Sequence, residues 1–202
     1  MRNFNLLIFT MNNAIASPAA GHAAPVPMGT ILGLHHFAWR CRDAEETRRF
    51  YEDILGLPLV HVIKKDHVPS TGEYCPYVHI FFRMSDGSHI AFFDLGDGQS
   101  AAPSANTPAW VNHIALRVDN REKLDAMKAR LLEHGIEVLG ITDHDGYIES
   151  IYFFDPNGLR LELTTEVAPA AVVSDFARHA HAQLAQWAVE SATRRAAGKE
   201  GA

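Results

Sequence analysis

Residues 34–60 read LHHFAWRCRDAEETRRFYEDILGLPLV, and residues 111–135 read VNHIALRVDNREKLDAMKARLLEHG. A shift of 77 residues (113 − 36) lays His36-Phe37-Ala38-Trp39-Arg40 on His113-Ile114-Ala115-Leu116-Arg117, with His, Ala and Arg recurring. Each short strand runs into a helix start of similar design. Asp43-Ala44-Glu45-Glu46 and Asp119-Asn120-Arg121-Glu122 both offer a capping acid followed three residues later by Glu. The first helix directs Phe50, Ile54 and Leu55 toward a core and stops at Gly56, with Pro58 behind it. The second directs Leu124, Met127 and Leu131 inward and stops at Gly135.

Three strand-like runs follow each helix: 59–63, 77–84 and 88–95 in the first copy, 137–141, 150–154 and 159–165 in the second. The last two strands of each copy meet at a glycine turn, Ser85-Asp86-Gly87 and Asp155-Pro156-Asn157-Gly158. Each copy therefore reads β-α-β-β-β. The His, the cap and the turn recur in one order, which marks an internal duplication. The expected organisation is a leader over 1–28, one module over 29–98, a Gly/Ser/Ala/Pro linker over 99–109, a second module over 110–166, and a C-terminal helix and tail over 167–202. The leader reads as disordered, or as sequence ahead of a start at Met28, rather than as a secretory signal. Its apolar run, Leu6 to Phe9, is short, and Asn12-Asn13 interrupts it.

Composition narrows the function classes. The chain has 202 residues, 47% of them hydrophobic, enough for one cored domain or two fused modules. A net charge of −6 argues against a nucleic-acid surface. No apolar run reaches the roughly 18 residues of a membrane span. Two cysteines, Cys41 and Cys75, are too few for a disulfide framework, so a reducing cytoplasm is the expected location. Twelve histidines raise the weight of metal or acid–base chemistry.

The stretches HHFAWRCRDAEETRRFYEDILGLPL, NHIALRV and SIYFFDPNGLRLEL resemble the vicinal oxygen chelate superfamily. It includes glyoxalase I, fosfomycin-resistance enzymes, bleomycin-resistance proteins and extradiol dioxygenases. The resemblance covers about residues 31 to 165 and implies an α+β fold: two tandem βαβββ modules whose curved mixed sheets form a cleft around one divalent metal, followed by the C-terminal helix.

The resemblance also implies a ligand set. The strand-one histidine of each module binds the metal in this family, and those positions are His36 and His113. His35 aligns with Asn112 and, by strand alternation, is expected to face away from His36. The family's third ligand is a Glu four residues beyond the turn glycine. From Gly158 that count reaches Glu162, set among Leu159, Leu161 and Leu163; from Gly87 it reaches Ala91. A carboxylate in an apolar strand is costly unless paired or metal-bound. Two His and one carboxylate with open positions suit Fe(II), with Mn(II) or another divalent ion as the alternative.

Tyr152, ten residues before Glu162, falls where family members place a Tyr against the metal-bound substrate. His89 shares a strand face with Ala91 and is expected to carry the proton taken from a substrate hydroxyl. His144 is expected in a loop leading to Tyr152 as a further contact, with Tyr147 as a wall, whereas His61, His67 and His79 have no spacing argument and read as solvated or edge histidines. Phe81, Phe93, Tyr152 and Phe154 suggest an aromatic or otherwise apolar chelating substrate. A helix over 172–195 is expected to lay Phe176, Leu184, Trp187 and Val189 either on its own chain or on a second copy in a homodimer. The resulting reading is an Fe(II)-dependent extradiol-type dioxygenase cleaving a catechol-like ring with O2. It stands ahead of a glyoxalase-like or fosfomycin-resistance-like lyase, isomerase or transferase on the same metal, and of a metal-free drug-binding protein. Many extradiol enzymes have four modules where this chain has two.

Overall fold

The computed structural model describes residues 31–200, and the expected leader lies outside them. The first module comprises β1 (His36–Cys41), α1 (Ala44–Arg48, continued by a wider π-helical segment, Arg49–Ile54), β2 (Leu59–His67), β3 (Tyr74–Arg83) and β4 (His89–Asp94). The second comprises β5 (Ile114–Arg117), α2 (Arg121–Glu133), β6 (Leu139–His144), β7 (Ile148–Phe154) and β8 (Arg160–Glu166), after which α3 spans Ala170–Glu200. The fold is α+β, as the repeat implies. The strands form two four-stranded mixed sheets, in the orders β1-β4-β3-β2 and β5-β8-β7-β6, and do not close into a barrel. In each sheet the first strand runs parallel to the last and the remaining neighbours are antiparallel.

The register makes the duplication concrete. Ala38 lies opposite Ala91 in the first sheet, and Ala115 lies opposite Glu162 in the second. Phe81 lies opposite Ala91, and Tyr152 lies opposite Glu162. Ala91 and Glu162 are therefore equivalent positions, and the first module lacks the carboxylate that the second retains.

Local chemistry sets the element ends. The Asp43 carboxylate accepts from the Glu46 N–H at 2.6 Å and caps α1. The capping acid expected at Asp119 is instead Asn120, whose Oδ1 accepts from the Lys123 N–H at 3.0 Å; Asp119 faces the Lys123 ammonium at 3.6 Å. The amide does the capping because it stands one residue closer to the helix. At the hairpin ends Gly87 and Gly158 take φ of 88° and 80°, a left-handed conformation that favours glycine.

One core lies between the helices and the inner faces of both sheets. Phe50 and Tyr51 are adjacent in sequence, yet both are buried because they reach different sheets. Tyr51 stacks on Phe82 and Phe92 of the first sheet at 5.3 and 4.8 Å, and Phe50 leans on Phe153 of the second at 6.3 Å. Ile80, Ile90, Leu116, Leu124, Leu131, Ile151, Leu161 and Leu163 complete this cluster.

Polar contacts fasten the modules at the Asp155-Pro156-Asn157-Gly158 turn. The Tyr51 hydroxyl donates to Asp155 at 3.1 Å, Asn157 donates to the Thr47 hydroxyl at 3.2 Å, and the Arg42 N–H donates to Asn157 at 3.0 Å. Arg130 of α2 adds two bonds to the Asp53 and Ile54 carbonyls, both at 2.6 Å.

The C-terminal helix is longer than its expected span. Its Phe176 meets Tyr147 edge-on at 5.4 Å, so Tyr147 backs this helix rather than walling the cleft. Leu184, Trp187 and Val189 are 66%, 50% and 69% exposed and do not cover the chain's own core as one of the two expected placements required.

Burial lifts the Asp155 carboxyl above its ordinary value of 3.8, and the donors around it offset part of that. A carboxyl whose pKa is higher folded than unfolded adds stability below the unfolded value, and that contribution is lost as pH rises through the folded value. Tyr51→Phe removes one of the donors that counteract the shift. It is expected to lower stability at pH 7 by about 1–2 kcal/mol and to steepen the loss of stability above pH 4, measured by urea unfolding from pH 3 to 7.

Candidate metal centre

The outer face of each sheet, opposite the helices, carries the chemistry. In the second sheet His113 stands immediately ahead of β5 and Glu162 lies on β8. The two side chains meet on one face, with His113 Nε2 2.9 Å from Glu162 Oε2. The other ring nitrogen of His113, Nδ1, is 2.9 Å from the Val111 carbonyl. If Nδ1 donates there, Nε2 keeps its lone pair, the arrangement usual for a metal-binding imidazole. Glu162 is 4% exposed, and its Oε1 accepts from the Ser150 hydroxyl at 2.5 Å.

The donor set fits a divalent ion. Metal–nitrogen and metal–oxygen bonds of about 2.1 Å put neighbouring octahedral ligands roughly 3 Å apart, the spacing of His113 Nε2 and Glu162 Oε2. Both carry their remaining hydrogen-bonding capacity on protein groups, so each is oriented before any ion arrives.

Tyr152 stands opposite Glu162 in the ladder, with its ring 6.1 Å from that of His113. Burial, reinforced by the Glu162 charge, raises its phenol pKa, so Tyr152 keeps its proton at neutral pH. Its hydroxyl lies 2.8 Å from His144 Nε2. His144 is the last residue of β6 rather than part of a loop: the strand extends three residues beyond its expected end and delivers the imidazole by pairing with Ile148. His113, Glu162, Tyr152 and His144 thus come together, with Ser150 behind them.

His36 and His89 lie together on the other sheet, opposite one another in the β1–β4 ladder. Among the described residues no three His, Cys, Asp or Glu side chains converge closely enough to hold one ion. His36 therefore does not join His113 and Glu162 within the single chain. His35 does not face away from His36 as alternation implied. The two Nδ1 atoms are 2.7 Å apart, because β1 begins at His36 and its pleat does not govern the residue before it. The His35 carbonyl in turn lies 3.3 Å from His89 Nδ1. As with His113, the contact at Nδ1 of His36 leaves Nε2 available.

Three further residues had no sequence signal strong enough to single them out. His79 is 7% exposed rather than solvated, packed on Phe81 and Phe93 at 4.1 and 3.6 Å between ring centres. Burial, then the neighbouring His36 and His61, lowers its pKa to about 4, so it is neutral. Its spacing to Phe81 marks the shared face, but nothing in the sequence announced that β3 turns that face toward His36, whose ring centre is 6.1 Å away. Ser150, two positions before Tyr152, was missed because one serine in a strand is unremarkable without its partner. Arg160 places its guanidinium 4.5 Å over the Tyr152 ring. His61 leans on Phe81, His67 meets Tyr74 edge-on, and both histidines are exposed. Cys41 is buried and its thiol is pushed up to about 11, chiefly by desolvation, so it is no nucleophile; Cys75 is also free.

Comparison with known proteins gives the family. The model of the glyoxalase/bleomycin resistance protein/dioxygenase superfamily matches residues 33–163. "Putative ring-cleaving dioxygenase MhqA" of Bacillus subtilis is 28% identical over 139 residues, 67% of this chain and 41% of the relative, so the chain spans less than half of that protein. "Uncharacterized protein YwkD" of the same organism is 30% identical over 136 residues, 66% of this chain and 96% of the relative. Among solved structures, a glyoxalase/dioxygenase from Nostoc punctiforme superposes with a TM-score of 0.53 at 23% identity, over 72% of this chain and 99% of its own. A glyoxalase family protein from Enterococcus faecalis gives 0.50 at 25% identity, over 66% and 97%. Enzymes of this superfamily typically use a divalent metal. With its duplicated βαβββ modules and its paired His and Glu on the second sheet, the chain belongs to the glyoxalase/bleomycin resistance protein/dioxygenase superfamily.

Proposed function

We propose that the protein is an iron(II)-dependent extradiol-type dioxygenase that cleaves a catechol-like ring with O2. The observation that carries this is the His113–Glu162 pair, 2.9 Å apart, beside a protonated Tyr152 held by His144. The similarity to MhqA supports ring cleavage over other metal chemistry of the superfamily. A divalent ion bound there supplies Lewis acidity toward the two diol oxygens and, as iron, the redox capacity that oxygen chemistry needs. The chain's own residues do the rest. Tyr152 donates its O–H toward the reacting oxygen, His144 fixes the direction of that O–H, and Ser150 holds the carboxylate in place. His89 takes the proton of a substrate hydroxyl and returns it as the ring opens.

His36 and His89 reach the same centre from a second copy of the chain. The helices and one shared core occupy the inner faces of both sheets, so each module's outer face is left to meet another molecule. The two half-sites are complementary: one offers His36 and His89 without a carboxylate, the other His113 and Glu162 with one. Pairing in a twofold dimer completes two identical centres.

Three outcomes test this reading. Protein purified without oxygen should carry near-stoichiometric iron, and Glu162→Ala should lose it while unfolding at an unchanged urea midpoint; zinc or nickel in its place would sink the oxygen chemistry. Ser150→Ala should weaken Mn(II) binding by calorimetry about tenfold, the usual cost of losing a ligand's orienting partner. Mixing and re-annealing inactive His36→Ala with inactive Glu162→Ala should restore about a quarter of wild-type ring cleavage, since half of the dimers would hold one intact centre. No recovery would place all ligands within one chain.

A further inference from the structure

A cavity of about 540 Å³ opens beside His113, between the linker and the starts of β5 and β8. That is the size of an ordinary small-molecule site. Phe37, Trp39, Pro108, Val111, Phe154 and Leu159 give it an apolar wall. His113 belongs to both the cavity and the metal half-site, and Arg160 belongs to the cavity while lying over Tyr152.

Arg160 is the anomaly here. Three arginines among the described residues are half-buried: Arg40, Arg48 and Arg160. Arg40 pairs with Asp97, and Arg48 with Glu45, Glu52 and Asp53. None of the ion pairs among the described residues includes Arg160. Its Nε is buried and makes no hydrogen bond; Arg40 Nε is orphaned as well, but its guanidinium keeps the Asp97 carboxylate, whereas that of Arg160 has no carboxylate beside it among the described residues. A buried N–H without an acceptor is costly, and a ligand carboxylate that accepts from Nε and from a terminal N–H of the same fork removes the cost. The rest of the lining is apolar, which suits the ring or chain that carries such a carboxylate.

We infer that this cavity receives the part of the substrate remote from the diol and that Arg160 pairs with a carboxylate on it, so that the substrate class is a dihydroxy aromatic acid. The inference rests on the dioxygenase reading for the diol and on the cavity alone for the acid. Orientation follows from the shared wall: a ring chelated at the His113 side extends its substituent past Arg160 into the cavity. Arg160 is thus a specificity-determining residue. Its counterpart in the first module is His89, since Arg160 and His89 each lie two residues before the equivalent Glu162 and Ala91.

Two pairs of probes test this on the full Mn(II)-loaded chain by titration calorimetry without oxygen. 3,4-Dihydroxybenzoate and 4-methylcatechol differ as carboxylate and methyl on the same diol. 3-Phenylpropionate and 3-phenyl-1-propanol repeat the contrast without a diol. The wild type should prefer the acid of each pair by about tenfold or more. Arg160→Met should erase both preferences while leaving the neutral probes within about threefold, which also shows that the cavity has survived; Arg160→Lys should retain part of them. Equal affinity within each pair, or a preference that persists in Arg160→Met, overturns the assignment. The ring-cleavage reading fails separately. If the acids bind through Arg160 and the iron-loaded protein opens neither catechol, that reading falls and the anion site stands. If 4-methylcatechol is opened and Arg160→Met binds the acids as tightly as the wild type, the reverse holds.

Discussion

A turn of four residues fastens the molecule. Asp155 and Asn157 are 5% and 4% exposed, a location polar side chains reach only when their hydrogen bonds are made. Asp155 folds its own turn by accepting from the N–H groups of Asn157 and Leu159, both at 2.8 Å, and takes a third bond from Tyr51 of the other module. Asn157 completes the joint through Thr47 and the Arg42 backbone. Apolar burial alone tolerates sliding between the modules. These directional bonds do not, because displacement would leave buried polar groups unpaired. The joint selects one docking, with the helices and inner sheet faces together and the faces that carry His36 and Glu162 outward.

That docking explains why the duplicated modules diverged where they did. In a symmetric pair each outer face would carry a His and a Glu. Here the first module has Ala91 where the second has Glu162, and it surrounds Phe81 with His36, His61, His79 and His89 instead. One face keeps an oriented carboxylate, and the other keeps a cluster of imidazoles around one phenyl ring. Two identical faces meeting across a dimer would crowd four ligands onto one ion. In the proposed dimer, unlike faces would leave positions on the ion open to a chelating substrate.

The modules were readable in the sequence because strand and helix periodicity, caps and turn glycines are local signals. The same locality explains which site residues could be grouped. Tyr152 and Glu162 belong to one hairpin, and the Asp-Pro-Asn-Gly turn sets their register, so a count along the chain sufficed. His144 joined them because β6 pairs with β7 further than the turn signals suggested. His36 and His113 looked like partners because the repeat makes them equivalent, but equivalence under duplication does not specify how two modules dock. That depends on Tyr51, Thr47 and Asn157, whose partnership spans about a hundred residues and leaves no periodic trace. His35 escaped for a different reason: alternation holds inside a strand, and His35 stands just outside one.

The same separation of local from long-range order accounts for the roles of Ser150 and Arg160. Both sit on strand positions whose side chains share a face with Glu162, two residues from a recognisable member of the site. Ser150 spends its hydroxyl on one carboxylate oxygen, and this holds the other against His113. Arg160 adds a positive charge over the Tyr152 ring, two residues before Glu162 on the same strand. Charge therefore changes sign along β8 within three residues, from the guanidinium to the carboxylate. A substrate that is neutral or cationic along its length gains nothing from that gradient. The proposed substrate, which chelates at one end and carries an anion at the other, would match both ends.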